Sequence, residues 1–167
     1  MKTFINSITT SLVIAILLFS QLVFSQSDKI PWIPLLKDAP ERTADVITSA
    51  QIGIPVYPGS YLTSYYPSAS SNENGKTVTS MATIFLVTSD EIEKVVKFYT
   101  NNLKNSDGWN YFEEYKVFVK GDLNDALSRT VPGVAVREET GESFDLADAD
   151  PDIKAALKTR IKILYKP

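Results

Sequence analysis

The chain has 167 residues with a formal net charge of −3 at neutral pH, and it contains neither histidine nor cysteine. The missing residue types exclude disulfides, imidazole or thiolate metal ligands, and catalysis by Ser-His or Cys-His dyads. The acidic balance argues against binding to nucleic acid, and the length suits one domain with a sizeable core.

Residues 1–25 have the organisation of a secretory signal peptide. Lys2 is followed by an apolar stretch centred on residues 12–19, and Val23 and Ser25 occupy the two positions that a signal peptidase recognises. We therefore predict cleavage after Ser25, export to the periplasm or the extracellular space, and no stable membrane anchor on the mature chain. An uncleaved anchor is the alternative, but polar residues interrupt the stretch before it reaches the ~20 apolar residues that span a bilayer.

Residues 26–52 predict an N-terminal arm and a short helix. The arm is apolar and rich in proline, which favours an extended segment that packs on the domain rather than a free, polar linker. Pro40 suits the first turn of a helix, and Gly53 suits its end. The remaining residues, 53–167, are expected to form a single α+β domain.

A β-hairpin with a long polar tip is predicted next. Tyr61–Tyr66 and Thr77–Val87 are rich in tyrosine, threonine and β-branched residues, which favours two strands. Residues 67–76 between them are polar and predict a mobile loop. Asn74-Gly75 is a turn dipeptide, so we expect the chain to reverse there.

The clearest local pattern predicts a helix over residues 89–104. Thr88 and Glu91 have the spacing of a capping box, in which the hydroxyl accepts from the Glu91 amide and the carboxylate reaches back. Apolar residues then recur at helical spacing and mark one buried face. They are Ile92, Val95, Val96, Tyr99 and Leu103.

The C-terminal part predicts further strands and a second short helix. We expect strands over residues 109–119, from residue 134 and over Arg160–Tyr165, with a loop or short helix at 121–129. Asp150 and Pro151 suit the start of a helix. The element order predicts an α+β fold with a mostly antiparallel sheet and one long helix packed on one face.

Two acidic patterns are candidates for chemical sites. Asp148, Asp150 and Asp152 begin like a calcium loop, but the turn glycine and the closing glutamate of that loop are missing, so helix capping is the favoured interpretation. The pairs Glu113-Glu114 and Glu138-Glu139 are predicted to be surface charge, because neighbours on a strand face opposite sides. We therefore predict no metal, no cofactor and no identifiable catalytic residue.

A group of aromatic residues is the candidate ligand-binding surface. Aromatic side chains can line a ligand pocket, although tyrosine is also simply a good strand former with one polar end. Tyr65 and Tyr66 must face opposite sides of a strand, so one of them is expected to be exposed. The candidate residues are Tyr57, Tyr61, Tyr65, Tyr66 and Trp109.

Several short motifs resemble those of a group of bacterial exported proteins of unknown function. That group has a PxYPGA turn, a TxDS helix start, a VxxFY helix body and a GW strand start. The matching segments here are Ile54–Gly59, Thr88–Glu91, Lys97–Tyr99 with Leu103, and Gly108-Trp109. The resemblance covers residues 50–120, although Ser60 stands where alanine is usual and no cysteine is present for lipidation. It implies a bacterial cell-envelope protein and assigns no functional residue.

Two functional hypotheses remain after this reasoning. The first is a non-catalytic, exported binding domain for a small molecule or a protein partner in the cell envelope. The second is a cell-envelope hydrolase that uses carboxylates. A shallow aromatic groove would favour the first, whereas a deep pocket with converging acids and a raised carboxyl pKa would favour the second.

Overall fold

The computed structural model describes residues 29–36, 47–73, 75–104, 106, 108–127 and 129–167. The predicted signal peptide and the start of the helix predicted from Pro40 lie outside these residues. The helices are α1 (Ser49–Ile52), α2 (Ile92–Leu103), α3 (Leu123–Leu127) and α4 (Pro151–Ala156), with 3-10 turns at Glu113–Tyr115 and Phe144–Leu146. The strands are β1 (Tyr61–Tyr66), β2 (Ser70–Glu73), β3 (Lys76–Thr79), β4 (Ala82–Thr88), β5 (Trp109–Phe112), β6 (Val117–Lys120), β7 (Gly133–Glu138) and β8 (Thr159–Tyr165).

Six of these strands form one antiparallel sheet in the order β1-β4-β8-β7-β6-β5. The α+β class and the antiparallel sheet are therefore confirmed. The sequence placed β8 last without fixing its neighbours, and the structure puts it at the centre, between β4 and β7. Its alternation is retained there, because Ile161 and Ile163 are fully buried on one face.

Two predicted strands are broken in the structure. Ser70–Glu73 and Lys76–Thr79 pair as a separate two-stranded hairpin, so the predicted polar loop and the first part of the predicted second strand belong together. The turn lies where we expected it, and Gly75 there has a φ of 76°, which glycine adopts without strain. The predicted strand over residues 109–119 also reverses, because a 3-10 turn and Lys116 at a φ of 48° separate β5 from β6.

The predicted capping box at the start of α2 was wrong. α2 is 12 residues long and begins at Ile92, and Glu91 precedes it without a side-chain hydrogen bond to the helix. Thr88 is the last residue of β4, where it pairs with Thr159, so the sheet and not the helix determines its position. Its hydroxyl accepts from the Asp90 amide, at 3.3 Å, and not from the Glu91 amide that a capping box requires.

The buried face of α2 packs on one face of the sheet, as its periodicity predicts. Val95, Tyr99 and Leu103 are the buried residues of the helix. They share one hydrophobic core with inward-facing strand residues such as Ile84, Phe118 and Ile163. Burial of this face therefore fixes the helix against the sheet, whatever residue begins it.

The opposite face of the sheet is covered at one end by two segments, the N-terminal arm and the chain between β7 and β8. The N-terminal arm is held on β1 by the hydrogen bond from the Ile33 amide to the Leu62 carbonyl, at 2.9 Å. Ile33 packs with Val87, Leu146 and Leu157 in a second, smaller core. This smaller core covers only part of that face. The rest of the face, which includes Phe85 of β4, Ala135 of β7 and Lys162 of β8, is open.

Asp150 begins α4 as the sequence predicts. Its carboxylate accepts from the amides of Asp152 at 3.0 Å and Ile153 at 3.2 Å. We expect Asp150→Ala to lower the free energy of unfolding by about 0.5–2 kcal/mol, because two helix amides lose their acceptor. Asp148→Ala removes the same charge from an exposed position and is expected to change stability by less than about 0.5 kcal/mol. Urea denaturation measures both, and equal losses would contradict the capping role.

Candidate functional site

The uncovered part of the second sheet face forms an open groove with a volume of about 480 Å³. Side chains on a strand alternate between faces, and residues of one face on four neighbouring strands line it. Gly133 and Ala135 on β7 are small, which leaves space between their larger neighbours. We call this feature the sheet groove and define it by Phe85, Val117, Gly133, Ala135, Arg137, Arg160, Lys162 and Leu164.

Lys162 lies at the middle of the sheet groove. It is paired with Phe85 across the β4–β8 ladder and with Ala135 across the β7–β8 ladder. Its ammonium nitrogen is 6.0 Å from the centroid of the Phe85 ring, and the side chain is half-buried. The neighbours of Lys162 on the two adjacent strands are therefore apolar.

The charge of Lys162 has no counter-ion among the described residues. Burial lowers the pKa of Lys162, and the positive charges of Arg129 and Arg137 lower it further. The Arg137 guanidinium donates to the backbone carbonyls of Tyr115 and Val136 rather than to a carboxylate. The sheet groove thus has excess positive charge at its centre and along one wall.

Arg160 forms another part of the wall and is paired with two carboxylates. Its guanidinium donates to Asp145 at 2.9 and 2.7 Å and to Glu139 at 3.2 Å. The Glu139 side chain is only 1% exposed, and it also accepts from the Gly141 amide at 2.8 Å. The guanidinium carbon lies 4.6 Å from the centroid of the Phe85 ring, so this ion-pair network borders the groove.

Asp145 remains ionised despite its partial burial. Burial on its own raises the pKa of Asp145, but hydrogen bonds from Arg160 and Thr63 outweigh that effect and hold the pKa below its usual value. Thr63 donates at 2.5 Å and Ser64 at 2.9 Å. The network therefore joins β1, β8 and the segment after β7. Its charged groups form hydrogen bonds within the protein.

Three of the five candidate aromatic residues pack within the protein instead of facing a ligand surface. Tyr57 is buried and donates to the Asp90 carboxylate at 2.6 Å, which holds the chain just before α2. Burial and that hydrogen bond raise the pKa of Tyr57 to about 12. Tyr61 packs against the smaller core and Tyr65 against the main core, and both are half-buried.

The two remaining aromatic residues lie far apart. Tyr66 is 57% exposed, and its ring meets the Phe85 ring edge-on with 6.0 Å between the centroids. The prediction that Tyr65 and Tyr66 face opposite sides is confirmed, since they pair with consecutive residues of β4. Trp109 is on β5, at the other edge of the sheet from β1. None of the five lines the sheet groove, and Tyr66 meets it only through the ring of Phe85.

The sequence reasoning missed the charged residues of the groove. It predicted β8 as a strand, but did not use the fact that Arg160 and Lys162 alternate with buried isoleucines. The prediction that Glu139 is surface charge was wrong, because this residue is buried against Arg160. When basic residues alternate with buried apolar ones along a strand, the basic residues share the other face of the sheet. This pattern could have indicated the positively charged face.

The described residues contain no group of three or more acids, histidines or cysteines arranged to hold a metal ion. No helix in the described part of the chain is long and apolar enough to cross a membrane. No protein-family model, curated protein or solved structure matches this chain. The charge and shape of the sheet groove are therefore the basis of the functional proposal.

Proposed function

We propose that this protein is a non-catalytic binding domain that takes a small anionic ligand with an apolar body into the sheet groove. The observation that supports the proposal is Lys162, a half-buried cation in an apolar groove with no ion pair among the described residues. Burial of an unpaired charge is unfavourable, so an external anion at this position would relieve a cost that the free protein bears.

The shape of the groove fits a small molecule. Its volume of about 480 Å³ lies within the roughly 300–1,000 Å³ of typical ligand pockets. Phe85, Ala135 and Leu164 provide apolar contacts for the body of the ligand, and Arg137 stands beside Lys162 for its anionic group. Tyr66, exposed beside Phe85, extends the aromatic surface toward solvent.

The alternative hypothesis of a carboxylate hydrolase has less support. Glu139 and Asp145 are the acids next to the groove, and both are bound by Arg160. A general acid needs a raised pKa, whereas the pKa of Asp145 is lowered. The Glu139 side chain is 1% exposed and already accepts hydrogen bonds from the protein, so it is not placed to meet a substrate.

The proposed ligand belongs to the cell envelope, because we propose that the protein is exported after removal of residues 1–25. The basic start, the apolar stretch and the resemblance to bacterial exported proteins support this location. When the full chain is expressed in a bacterium, we expect a soluble mature protein whose intact mass begins at Gln26. A membrane-bound form that retains Met1 would show instead that the segment is an anchor.

A pair of fluorescent probes tests the binding proposal. The anionic probe 8-anilinonaphthalene-1-sulfonate and the neutral N-phenyl-1-naphthylamine differ by one sulfonate group. We expect the wild-type protein to bind the anionic probe at least about tenfold more tightly, since a charge-assisted contact is worth about 1.5–3 kcal/mol. Added salt should weaken binding of the anionic probe and leave binding of the neutral probe nearly unchanged.

Two methionine variants locate the site. Lys162→Met is expected to bind the anionic probe about tenfold more weakly, because the central charge is lost while an apolar side chain of similar length remains. Lys97→Met is the matched control, since Lys97 is exposed on α2, which packs on the other face of the sheet. Equal affinities of the two variants for the anionic probe would contradict the proposal.

A further inference from the structure

Lys162 differs from other lysines of the described chain in its surroundings. Lys94 is exposed and forms an ion pair with Asp90 at 2.8 Å, and Lys158 is exposed and forms an ion pair with Glu91. Lys162 is half-buried at the centre of the sheet and has no such partner among the described residues. An ammonium group with these surroundings is less stabilised than one that faces water or a carboxylate.

Two cations and several apolar groups face Lys162 and disfavour its protonated form, whereas the Phe85 ring, 6.0 Å from the ammonium nitrogen, favours it weakly. Phe85 on β4 and Ala135 on β7 are apolar neighbours in the ladders. Arg137 on β7 and Arg129 in the loop before β7 are cations that repel it. The nearby acids Glu139 and Asp145 are both bound to Arg160 rather than to Lys162.

A neutral lysine amine is a nucleophile, and two conditions activate it in proteins. One is desolvation in an apolar pocket, and the other is a neighbouring cation. Both conditions hold at Lys162, because it lies in the sheet groove beside Arg137. The groove is also open to solvent, so a ligand can reach the amine without movement of the sheet.

We propose that Lys162 captures carbonyl compounds that carry an anionic group, as a reversible imine in the sheet groove. The inference rests on the proposed function: the charges of Lys162 and Arg137 first draw the anion into the groove, and the fraction of Lys162 that is neutral then reacts with its carbonyl group. The Lys162 amine attacks the carbonyl carbon and one amine proton passes to the carbonyl oxygen, and the resulting carbinolamine loses that hydroxyl group with the second amine proton as water to leave a C=N bond. Hydrolysis reverses the step, so it needs no oxidant or reductant.

The ladder geometry places the anionic group at Arg137. Lys162 is paired with Ala135, so Arg137, two residues further on β7, is its diagonal neighbour. Diagonal neighbours in an antiparallel pair are about 7–8 Å apart. An aromatic aldehyde with a carboxylate in the para position spans a comparable distance, with its ring over the small side chain of Ala135. The preferred ligand class is therefore an aldehyde or ketone whose anionic group lies several bonds from the carbonyl carbon.

Reductive trapping on the wild-type protein tests the proposal. The full chain is incubated with 4-carboxybenzaldehyde and cyanoborohydride, which reduces an imine to a stable secondary amine, and labelled peptides are quantified. We expect labelling of Lys162 about tenfold faster than labelling of the exposed Lys97, because a charge-assisted contact holds the carboxylate of the aldehyde in the groove beside the amine. Benzaldehyde, which lacks the carboxylate, should show a smaller preference for Lys162, and 4-methylbenzoate should protect Lys162 from labelling.

The outcomes separate this proposal from the proposed function. Equal labelling of Lys162 and Lys97, with preserved binding of the anionic fluorescent probe, would overturn imine formation and leave the binding proposal intact. Equal labelling without probe binding would overturn both. An Arg137→Met variant gives a further check, since it should reduce the preference for 4-carboxybenzaldehyde over benzaldehyde. Unchanged preference in that variant would overturn the assignment of the anionic group to Arg137.

Discussion

Replacement of Arg160 by methionine is expected to lower the free energy of unfolding by about 3–5 kcal/mol, because it leaves two buried or partly buried carboxylates without their cation. Glu139 has a side chain that is 1% exposed, and Asp145 one that is 13% exposed, so water cannot fully replace the guanidinium. Urea denaturation at neutral pH measures the loss. A loss below about 1 kcal/mol would show that the network behaves like a surface ion pair.

The same variant should weaken the pH dependence contributed by Asp145. In the wild-type protein the pKa of Asp145 is lowered, so its contribution to stability is present above its ordinary pKa and is lost as the pH falls through the folded value. Without Arg160, only the hydrogen bonds from Thr63 and Ser64 still oppose burial, so the folded pKa moves upward. We therefore expect the difference in the free energy of unfolding between the wild type and Arg160→Met to narrow as the pH falls through the folded pKa of Asp145.

Arg137→Met is the matched control for Arg160→Met. It removes the same group from the neighbouring strand, but Arg137 is exposed and donates to backbone carbonyls instead of carboxylates. Its loss leaves no buried acid without a cation. We expect a change in the free energy of unfolding of about 1 kcal/mol or less. A comparable loss in both variants would mean that arginine packing, and not charge compensation, determines the effect.

Replacement of Phe118 by alanine is expected to cost about 3–5 kcal/mol, through lost burial and the cavity that remains. Phe118 is fully buried on the helix-facing side of the sheet. Its ring stacks on Tyr111 with 4.4 Å between the centroids and lies 5.9 Å from the Tyr99 ring. The loss should appear as a lower urea midpoint, while any probe binding in the sheet groove is retained by the fraction that remains folded.

Phe85→Ala provides the comparison on the other face of the sheet. Phe85 is half-buried and lines the groove, so its removal should cost less stability than the removal of Phe118. It should also weaken binding of both fluorescent probes, because the apolar contact is lost whatever the charge of the ligand. If the two alanine variants lose equal stability, the second face of the sheet is more tightly packed than the groove implies.

The sequence predicts the parts of this fold that are determined locally. The apolar face of α2, the start of α4 at Asp150 and the alternation in β8 are each visible within a short window, and the structure contains all three. The start of α2 was mispredicted because Thr88 satisfies two local patterns, a strand end and a helix cap. Pairing with Thr159, far away in the sequence, decides between them.

The candidate site depends on long-range pairing, and for that reason the sequence could not locate it. The cluster of tyrosines near residue 61 is conspicuous in the sequence, yet the fold buries or partly buries Tyr57, Tyr61 and Tyr65. Lys162 becomes notable only when β8 lies between β4 and β7, because a lysine on an edge strand would reach water. Alternation shows which residues share a face, but not which face the rest of the chain leaves open.

The central position of β8 also constrains when the protein can fold during synthesis. β1 and β4 form one antiparallel unit and β5, β6 and β7 another, and in the described sheet only β8 joins them. A ribosome adds about 5–20 residues per second, so both units emerge before the joining strand is available. Until then β4 and β7 each expose a row of unpaired backbone groups that can pair with another chain. A nascent chain that stops before Thr159 therefore has two unpaired strand edges. We expect such a truncated chain to aggregate rather than to remain as a partly folded, soluble fragment.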